Sequence, residues 1–285
     1  MGLKNITWTI LSLVARSLPL SWLESLPSKG KLGHFARVGL IKRDLTIKHG
    51  VAAGLKFNAG AYNLDTALGT YEMSVQETLS QYLKPGDIFY DIGANVGFFT
   101  ILAAKLVGSS GKVYAFEPEA VNVATLQHNI QINRFTHVSA IAKAVSRTTG
   151  QAELLLAAYS GGHTLATVGS RADARDIINI DVVSIDDLLK QKEIDPPTLV
   201  KIDVEGAEID VLYGMTQTIQ EYQPIILYEV DDRNKEIMLS KREEIASFLR
   251  EYGYEIENLA DAYPKISWNV GHAIAIPKGK QLHNS

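Results

Sequence analysis

The 285-residue chain contains no cysteine, which removes a disulfide framework and every thiolate metal site from consideration. The same absence suits a reducing compartment, so a cytoplasmic protein is expected. Positive charge is not in excess either. A formal net charge of −4 offers no general attraction to phosphate backbones, and nucleic acid is not expected as a partner. The one apolar stretch that invites a membrane reading, near the N-terminus, is interrupted by Arg16 and Pro19 and falls short of the roughly 20 residues that a span needs. Internal repeats and low-complexity tracts are also lacking. What remains is ordinary globular composition, 46% hydrophobic and 21% charged, in a length that suits one core with an appendage.

Charge is distributed unevenly along that length. Residues 1–48 hold eight Lys/Arg against two Asp/Glu, a surplus of +6 that leaves −10 for the rest. Within this basic arm Trp8, Leu11, Val14, Leu18, Trp22 and Leu26 recur at roughly helical spacing. Lys4 and the apolar stretch sketch a signal peptide, but no small-x-small cleavage site follows. The arm reads as an amphipathic segment that packs on its own domain or on a twin subunit, with contact to a membrane surface as the competing reading. A connector over 49–75 and a main domain over 76–285 complete the expected organisation.

From residue 74 the chain alternates helix and strand. "SVQETLSQYL" reads as a helix stopped by Lys84-Pro85-Gly86-Asp87, "IFYDI" as a buried strand, "VGFFTILAAKL" as a helix, "GKVYAFEP" as a strand and "EAVNVATLQHNIQIN" as a helix. This order predicts a parallel, doubly wound α/β sheet of six or seven strands with right-handed crossovers. A third strand is expected over "VSAIAKAV", then a polar loop or hairpin insertion around "AYSGGHTLATVGS". An antiparallel pair, "YEIENL" with "HAIAIPK", closes the sheet.

The first strand-to-helix junction is Gly93-Ala94-Asn95-Val96-Gly97. In a dinucleotide fingerprint a glycine would stand at Asn95 and another at Phe98, so a pyrophosphate would meet side chains where it needs bare backbone. The turn still presents N–H groups at a helix start, which suits a smaller ligand carrying a carboxylate or hydroxyls. Asp91 ends the first strand, and Glu117, followed by Pro118, ends the second. A carboxylate at that second tip can accept the vicinal hydroxyls of a ribose, a feature shared by adenosine cofactors.

"YDIGANVGFFTILAAKL", "VYAFEPEAVNVATLQHNI" and "LVKIDVEGAEIDVLYGM" together resemble the successive signatures of FkbM-type S-adenosylmethionine-dependent methyltransferases. The resemblance runs from about Gly54 through Pro277 and leaves out the basic arm. It implies the class I methyltransferase fold, a seven-stranded sheet whose last strand is antiparallel, and S-adenosylmethionine as cofactor. By that resemblance Asp91, Gly93, Asn95 and Gly97, with Ala94 and Val96 between them, line the methionine and ribose side. Glu117 and Pro118 then flank the ribose hydroxyls. Tyr71-Glu72 is implied to form a lid, and Asn122, Lys143 and Ala144 to approach ribose or adenine. Family members mostly methylate hydroxyls, so the implied partner is a small-molecule or glycan acceptor.

Methyl transfer from a sulfonium requires an aligned nucleophile and a proton acceptor. In "LVKIDVEGAE" the strand period sets Lys201, Asp203 and Glu205 on one side, and charged residues in a parallel strand are costly unless paired or used. Asp203 or Glu205 is expected to orient or deprotonate the acceptor. Asp203, Glu229 and Asp231 also suggest an oxygen cage for Mg²⁺. The structural alternative pairs Asp203 with Lys201, makes Glu205 a helix cap and leaves Asp231-Asp232 as a solvated turn. His163 is a further candidate base, and His272 reads as a strand-edge residue. Two rival functions remain: an amino-group methyltransferase acting on nucleic acid, which the −10 balance disfavours, and a non-catalytic cofactor-binding interaction protein.

Overall fold

Short apolar runs bounded by glycine, proline and acidic turns become the strands of one large sheet. The computed structural model describes residues 43–60, 64–157, 164–165, 174–261 and 269–279. The arm up to residue 42 and the loop bearing His163 lie outside them.

An antiparallel hairpin, β1 (Asp44–Thr46) with β2 (Lys56–Asn58), comes first and reaches across the boundary drawn at residue 48. Helices α1 (Leu64–Leu68) and α2 (Met73–Tyr82) follow. Then β3 (Ile88–Ile92), α3 (Phe98–Val107), β4 (Lys112–Phe116), α4 (Ala120–Ile132) and β5 (Val138–Ile141) alternate as the sequence predicts. The expected third strand is shorter than "VSAIAKAV": Lys143 donates its N–H to the carbonyl of Ile141, and the chain turns out of the main sheet there.

It enters a second sheet of β6 (Ala144–Val145), β7 (Gly150–Ala157), β8 (Thr164–Leu165) and β9 (Ala174–Val183), ordered β6-β9-β7-β8. The expected insertion is thus a long antiparallel ribbon, β7 with β9, rather than a loop alone. Strand β6 pairs in parallel with the end of β9, Ala144 opposite Val182 and Val145 opposite Val183. The ribbon therefore leaves and rejoins the domain at neighbouring points.

Helix α5 (Ile185–Lys190), β10 (Leu199–Ile202), α6 (Glu208–Tyr213), α7 (Thr216–Tyr222), β11 (Ile225–Asp232), α8 (Lys235–Glu251), β12 (Tyr254–Asn258) and β13 (Asn269–Pro277) complete the chain. The seven-stranded sheet runs β12-β13-β11-β10-β3-β4-β5, with β13 antiparallel to both neighbours and the other pairs parallel. This is the sheet that the family resemblance implies. Strand order reverses between β3 and β10, the switch point at whose carboxyl edge ligands bind in such sheets.

Strand alternation divides the apolar residues between two cores. Phe89, Leu199, Ile225, Leu227, Ile274 and Ile276 face Val75 and Leu79 of α2 and Phe99 and Leu102 of α3. Tyr90, Ile92, Val200, Ile202, Ile226 and Tyr228 pack with Val211 and Leu212 of α6, Ile219 of α7 and Ile245 and Leu249 of α8. Both faces are covered, which explains why β3 and β10 read as continuous apolar runs.

Candidate active site

The turn after β3 takes its shape from left-handed backbone at three positions: Gly93 (φ 83°), Asn95 (φ 51°) and Gly97 (φ 88°). A side chain at Gly93 would place its Cβ 1.8 Å from the carbonyl oxygen of Asp203, so the tips of β3 and β10 touch only because this residue has none. Asparagine is the side chain best suited to the left-handed region after glycine, which accounts for Asn95. Ala94 and Val96 are buried in the turn. The N–H groups of Gly93 and Ala94 both donate to the carbonyl of Phe116, at 3.0 and 2.9 Å, tying the turn to β4. From outside, Asn129 of α4 donates to the carbonyls of Val96 and Asn58 and accepts the N–H of Asn58, so one buried amide holds the turn and the β1-β2 hairpin together.

At the neighbouring tip Glu117 is buried and held by three donors. The N–H of Asn95 reaches Oε2 at 2.9 Å, and the N–H of Glu119 and Nδ2 of Asn122 reach Oε1 at 3.0 and 3.2 Å. A carboxylate has about four acceptor directions, so roughly one stays open to a ligand hydroxyl. Burial pushes the Glu117 carboxyl up to about 7, against the opposing pull of these hydrogen bonds. Pro118 follows directly, and Glu119 caps α4 by accepting the N–H of Asn122. Asp91 lies beneath the turn, 1% exposed. Its Oδ2 accepts from Thr100 of α3 at 2.6 Å, while Oδ1 has no hydrogen-bond partner among the described residues. Burial raises its pKa, opposed by the positive charge of Lys201.

The face toward α2 and α3 changes character along the strands. In one row of the sheet Asp91, Lys201, Leu227 and Ile274 are adjacent; two residues on, Glu229 and His272 are paired, level with Asp203 and Gly93. Lys201 donates to Asp203 Oδ2 at 2.9 Å, and its ammonium lies 4.9 Å from the centre of the Phe99 ring. Burial works against the Lys201 charge, but the carboxylates of Asp203, Asp91 and Glu72 outweigh it and raise the pKa. His272 Nε2 lies 2.6 Å from Glu229 Oε2 and 3.4 Å from Glu72 Oε2. Burial again opposes the charge, and the two carboxylates reverse that and raise the imidazole pKa.

The structure thus gathers Asp91, Gly93, Ala94, Asn95, Val96, Gly97, Glu117, Asn122, Asp203 and Glu72 around the switch point. Glu72 is in left-handed backbone (φ 42°) just before α2 and is 2% exposed. Tyr71 packs edge-on to Phe98, with ring centres 5.8 Å apart, and reaches the core rather than lying free over it. Lys143 and Ala144 sit where the chain leaves β5 for β6. His163 lies outside the described residues.

Three expectations need correction. The N-cap position of α6 falls at Ala207, two residues beyond Glu205 (φ 55°), and makes no side-chain cap bond; ahead of it the carboxylate of Glu208 accepts the N–H of Gly206 at 2.9 Å, and burial pushes Glu208 up to about 7. The Mg²⁺ cage of Asp203, Glu229 and Asp231 does not form, because Asp203 turns to Lys201 and Glu229 to His272. Among the described residues, the trio whose ligand atoms do fall within 4.8 Å is Glu72, Glu229 and His272. His272 is not at an edge, since β13 lies between β12 and β11. Its role was hidden because its partners come from strands and turns remote in sequence.

Residues 91–256 match the family model of the methyltransferase FkbM domain. The chain belongs to the FkbM methyltransferase family. Among FkbM-family and related proteins, a hexuronic acid methyltransferase, AglP, of Haloferax volcanii is 30% identical over 158 residues, covering 55% of this chain and 61% of that protein. The 31-O-demethyl-FK506 methyltransferase FkbM of Streptomyces tacrolimicus is 28% identical over 227 residues, 68% of this chain and 81% of that one. The chain therefore spans less than two thirds of the first relative and most of the second. A crystal structure of an FkbM methyltransferase from Methylobacillus flagellatus aligns with a TM-score of 0.47 at 14% identity, over 92% of this chain and 58% of that one. Among the described residues no helix is long and apolar enough to cross a membrane.

Proposed function

We propose that this FkbM-family chain transfers a methyl group from S-adenosylmethionine to a hydroxyl of a small molecule or glycan. The observation that carries the reading is the junction of Asn95 and Glu117: a left-handed turn after β3 whose apex N–H is bonded to the acid at the tip of β4. The turn leaves no room for a side chain at Gly93, because the Asp203 carbonyl fills that place and brings the tips of β3 and β10 together at the crevice. Asp91 Oδ1 is a buried acceptor with no donor among the described residues, a fit for a hydroxyl or ammonium. The cofactor supplies an electrophilic methyl on a sulfonium; the residues of this chain do the rest.

Asp203 is the proton acceptor in this reading. It stands at the switch point with its side chain 23% exposed, and Lys201, at 2.9 Å, orients it. A weak base is sufficient there. As the hydroxyl oxygen gains a third bond, to the methyl carbon, its proton becomes strongly acidic, so Asp203 takes it late, while alignment lowers the barrier. The oxygen acceptor is supported by two relatives whose names carry hexuronic acid and 31-O-demethyl-FK506. Calorimetric titration with S-adenosylmethionine, followed by mass spectrometry of hydroxylated acceptors after incubation, tests both halves. No binding of the cofactor by the folded protein would refute the donor half, and exclusive methylation of amines would refute the acceptor half.

A further inference from the structure

The turn over 93–97 begins and ends on glycines in left-handed backbone, so its peptides keep one orientation only where something outside holds them. One hold comes from a segment that precedes residues 91–256, the stretch matched by the family model. The β1-β2 hairpin lies along α4 and is bound by three residues near the end of that helix. His128 Nε2 meets Asp44 Oδ1 at 2.7 Å. Asn133 accepts the N–H of Lys56 at 2.9 Å and donates to its carbonyl at 2.6 Å; Asn129 accepts the N–H of Asn58 at 2.7 Å and donates to its carbonyl at 2.9 Å. Of the three, Asn129 also reaches the turn, donating to the carbonyl of Val96 at 2.8 Å. It is fully buried, and both protons of its amide are thereby committed, one to the hairpin and one to the turn. The peptide between Val96 and Gly97 is gripped at both ends, because its N–H donates to the carbonyl of Ala94 at 2.8 Å. Beyond it, Phe57 of β2 packs edge-on against Phe98, with ring centres 5.6 Å apart.

We propose that the hairpin belongs to the cofactor site, with Asn129 as the positioning residue through which it sets the affinity for S-adenosylmethionine. The inference rests on the donor function proposed above. Asn129 acts through the backbone: holding the Val96 carbonyl keeps the turn closed, and the closed turn keeps the Asn95 N–H on Glu117 Oε2. The acid that would take the ribose hydroxyls is thus oriented before any ligand arrives. A site already in its binding geometry loses less conformational entropy when it is filled, so the grip is felt as affinity. Without the Asn129 amide, the Val96 carbonyl and both backbone groups of Asn58 lose a buried partner, and the turn and the hairpin relax apart to reach water. Lys201 and Asp203 approach the crevice from β10, on the other side of Gly93, so the grip of Asn129 bears on binding rather than on proton transfer.

Calorimetric titration of the full chain with S-adenosylmethionine, run beside urea denaturation and amide hydrogen exchange, tests this with paired variants. Asn133→Ala loosens the same hairpin from the same helix but removes no bond to the turn. Asn129→Ala should weaken cofactor binding about tenfold, or 1.4 kcal/mol, whereas Asn133→Ala should leave it within about twofold of the parent even where the two lose similar stability. Exchange of the amides of residues 93–97 should quicken in the first variant and not in the second. Asn129→Asp keeps the acceptor for the Asn58 N–H, lacks both donors, and should match Asn129→Ala. Affinity that falls equally in the Asn129 and Asn133 variants, or in neither, would overturn the role of Asn129 and leave the donor reading intact. If neither Asn129 variant folds, Phe57→Leu decides through the ring contact: weaker cofactor binding supports the role of the hairpin, and unchanged binding overturns it. No binding by the parent protein would overturn the donor reading as well.

Discussion

The backbone N–H of Asn95 and the carboxylate of Glu117 meet at 2.9 Å, although they stand at the tips of two different strands. That bond makes the turn and the acid one unit, so a change at either is felt at both.

Glu117→Ala should weaken S-adenosylmethionine binding by about 1.5–3 kcal/mol, the scale of hydrogen bonds to a charged group. Calorimetry on the folded variant is the check; unchanged affinity would remove Glu117 from the ribose site.

Glu117 also makes a prediction about pH. Its folded pKa, about 7, lies above the ordinary 4.5, so the folded state binds the proton more tightly. The stability linked to that proton is fully present below 4.5 and is lost as pH rises through 7. The loss amounts to roughly 3 kcal/mol at 1.36 kcal/mol per pKa unit. Urea denaturation at both ends of that window should show Glu117→Gln gaining on the parent protein by this order as pH rises. A constant difference would contradict the assignment.

Gly93→Ala and Gly253→Ala both place a side chain on left-handed backbone, at φ 83° in each case. They differ in surroundings: the first meets the Asp203 carbonyl at 1.8 Å, the second nothing within 4 Å. Gly253→Ala should cost about 1–2 kcal/mol from backbone strain alone. Gly93→Ala should cost clearly more and should also lower cofactor affinity, since relief requires β3 and β10 to separate at their tips. Thermal melts of the two variants side by side measure the difference.

Asp203→Asn should bind cofactor yet lose turnover by about 10²–10⁴, the usual contribution of a positioned proton acceptor. Lys201→Met strands the buried carboxylate of Asp91 and the partly exposed one of Asp203, and should destabilise by about 3–5 kcal/mol. Combined with Asp203→Asn the loss should be smaller than the sum, because the partner charge is gone too. Additive losses in that double-mutant cycle would show that the 2.9 Å pair does not couple.

What could be read from the sequence was local. Gly93, Asn95 and Gly97 declare a left-handed turn by residue type, and Asp91 and Glu117 are placed by the ends of apolar runs, so the switch point emerged without tertiary information. Lys201 and Asp203 were legible as a pair because strand spacing alone brings them together. His272 was not, because its meaning depends on β13 sliding in beside β11 and on Glu72 arriving from the far end of the chain. Glu208 escaped for a subtler reason: the bend at Glu205 and Gly206 delays the start of α6, and the carboxylate of the first helical residue turns back to the Gly206 N–H. The division of "VSAIAKAV" between two sheets likewise hinges on one turn at Ile141–Lys143, which apolar content does not report.

The β7-β9 ribbon begins just beyond Val145 and returns at Val183, residues that are themselves paired. Because its two ends emerge side by side, the ribbon can lengthen, shorten or be exchanged without altering the distance that the remaining chain has to bridge. The donor crevice and the appendage beside it are thus free to diversify at separate rates, and a graft cut at those two valines is the natural way to transplant one without the other.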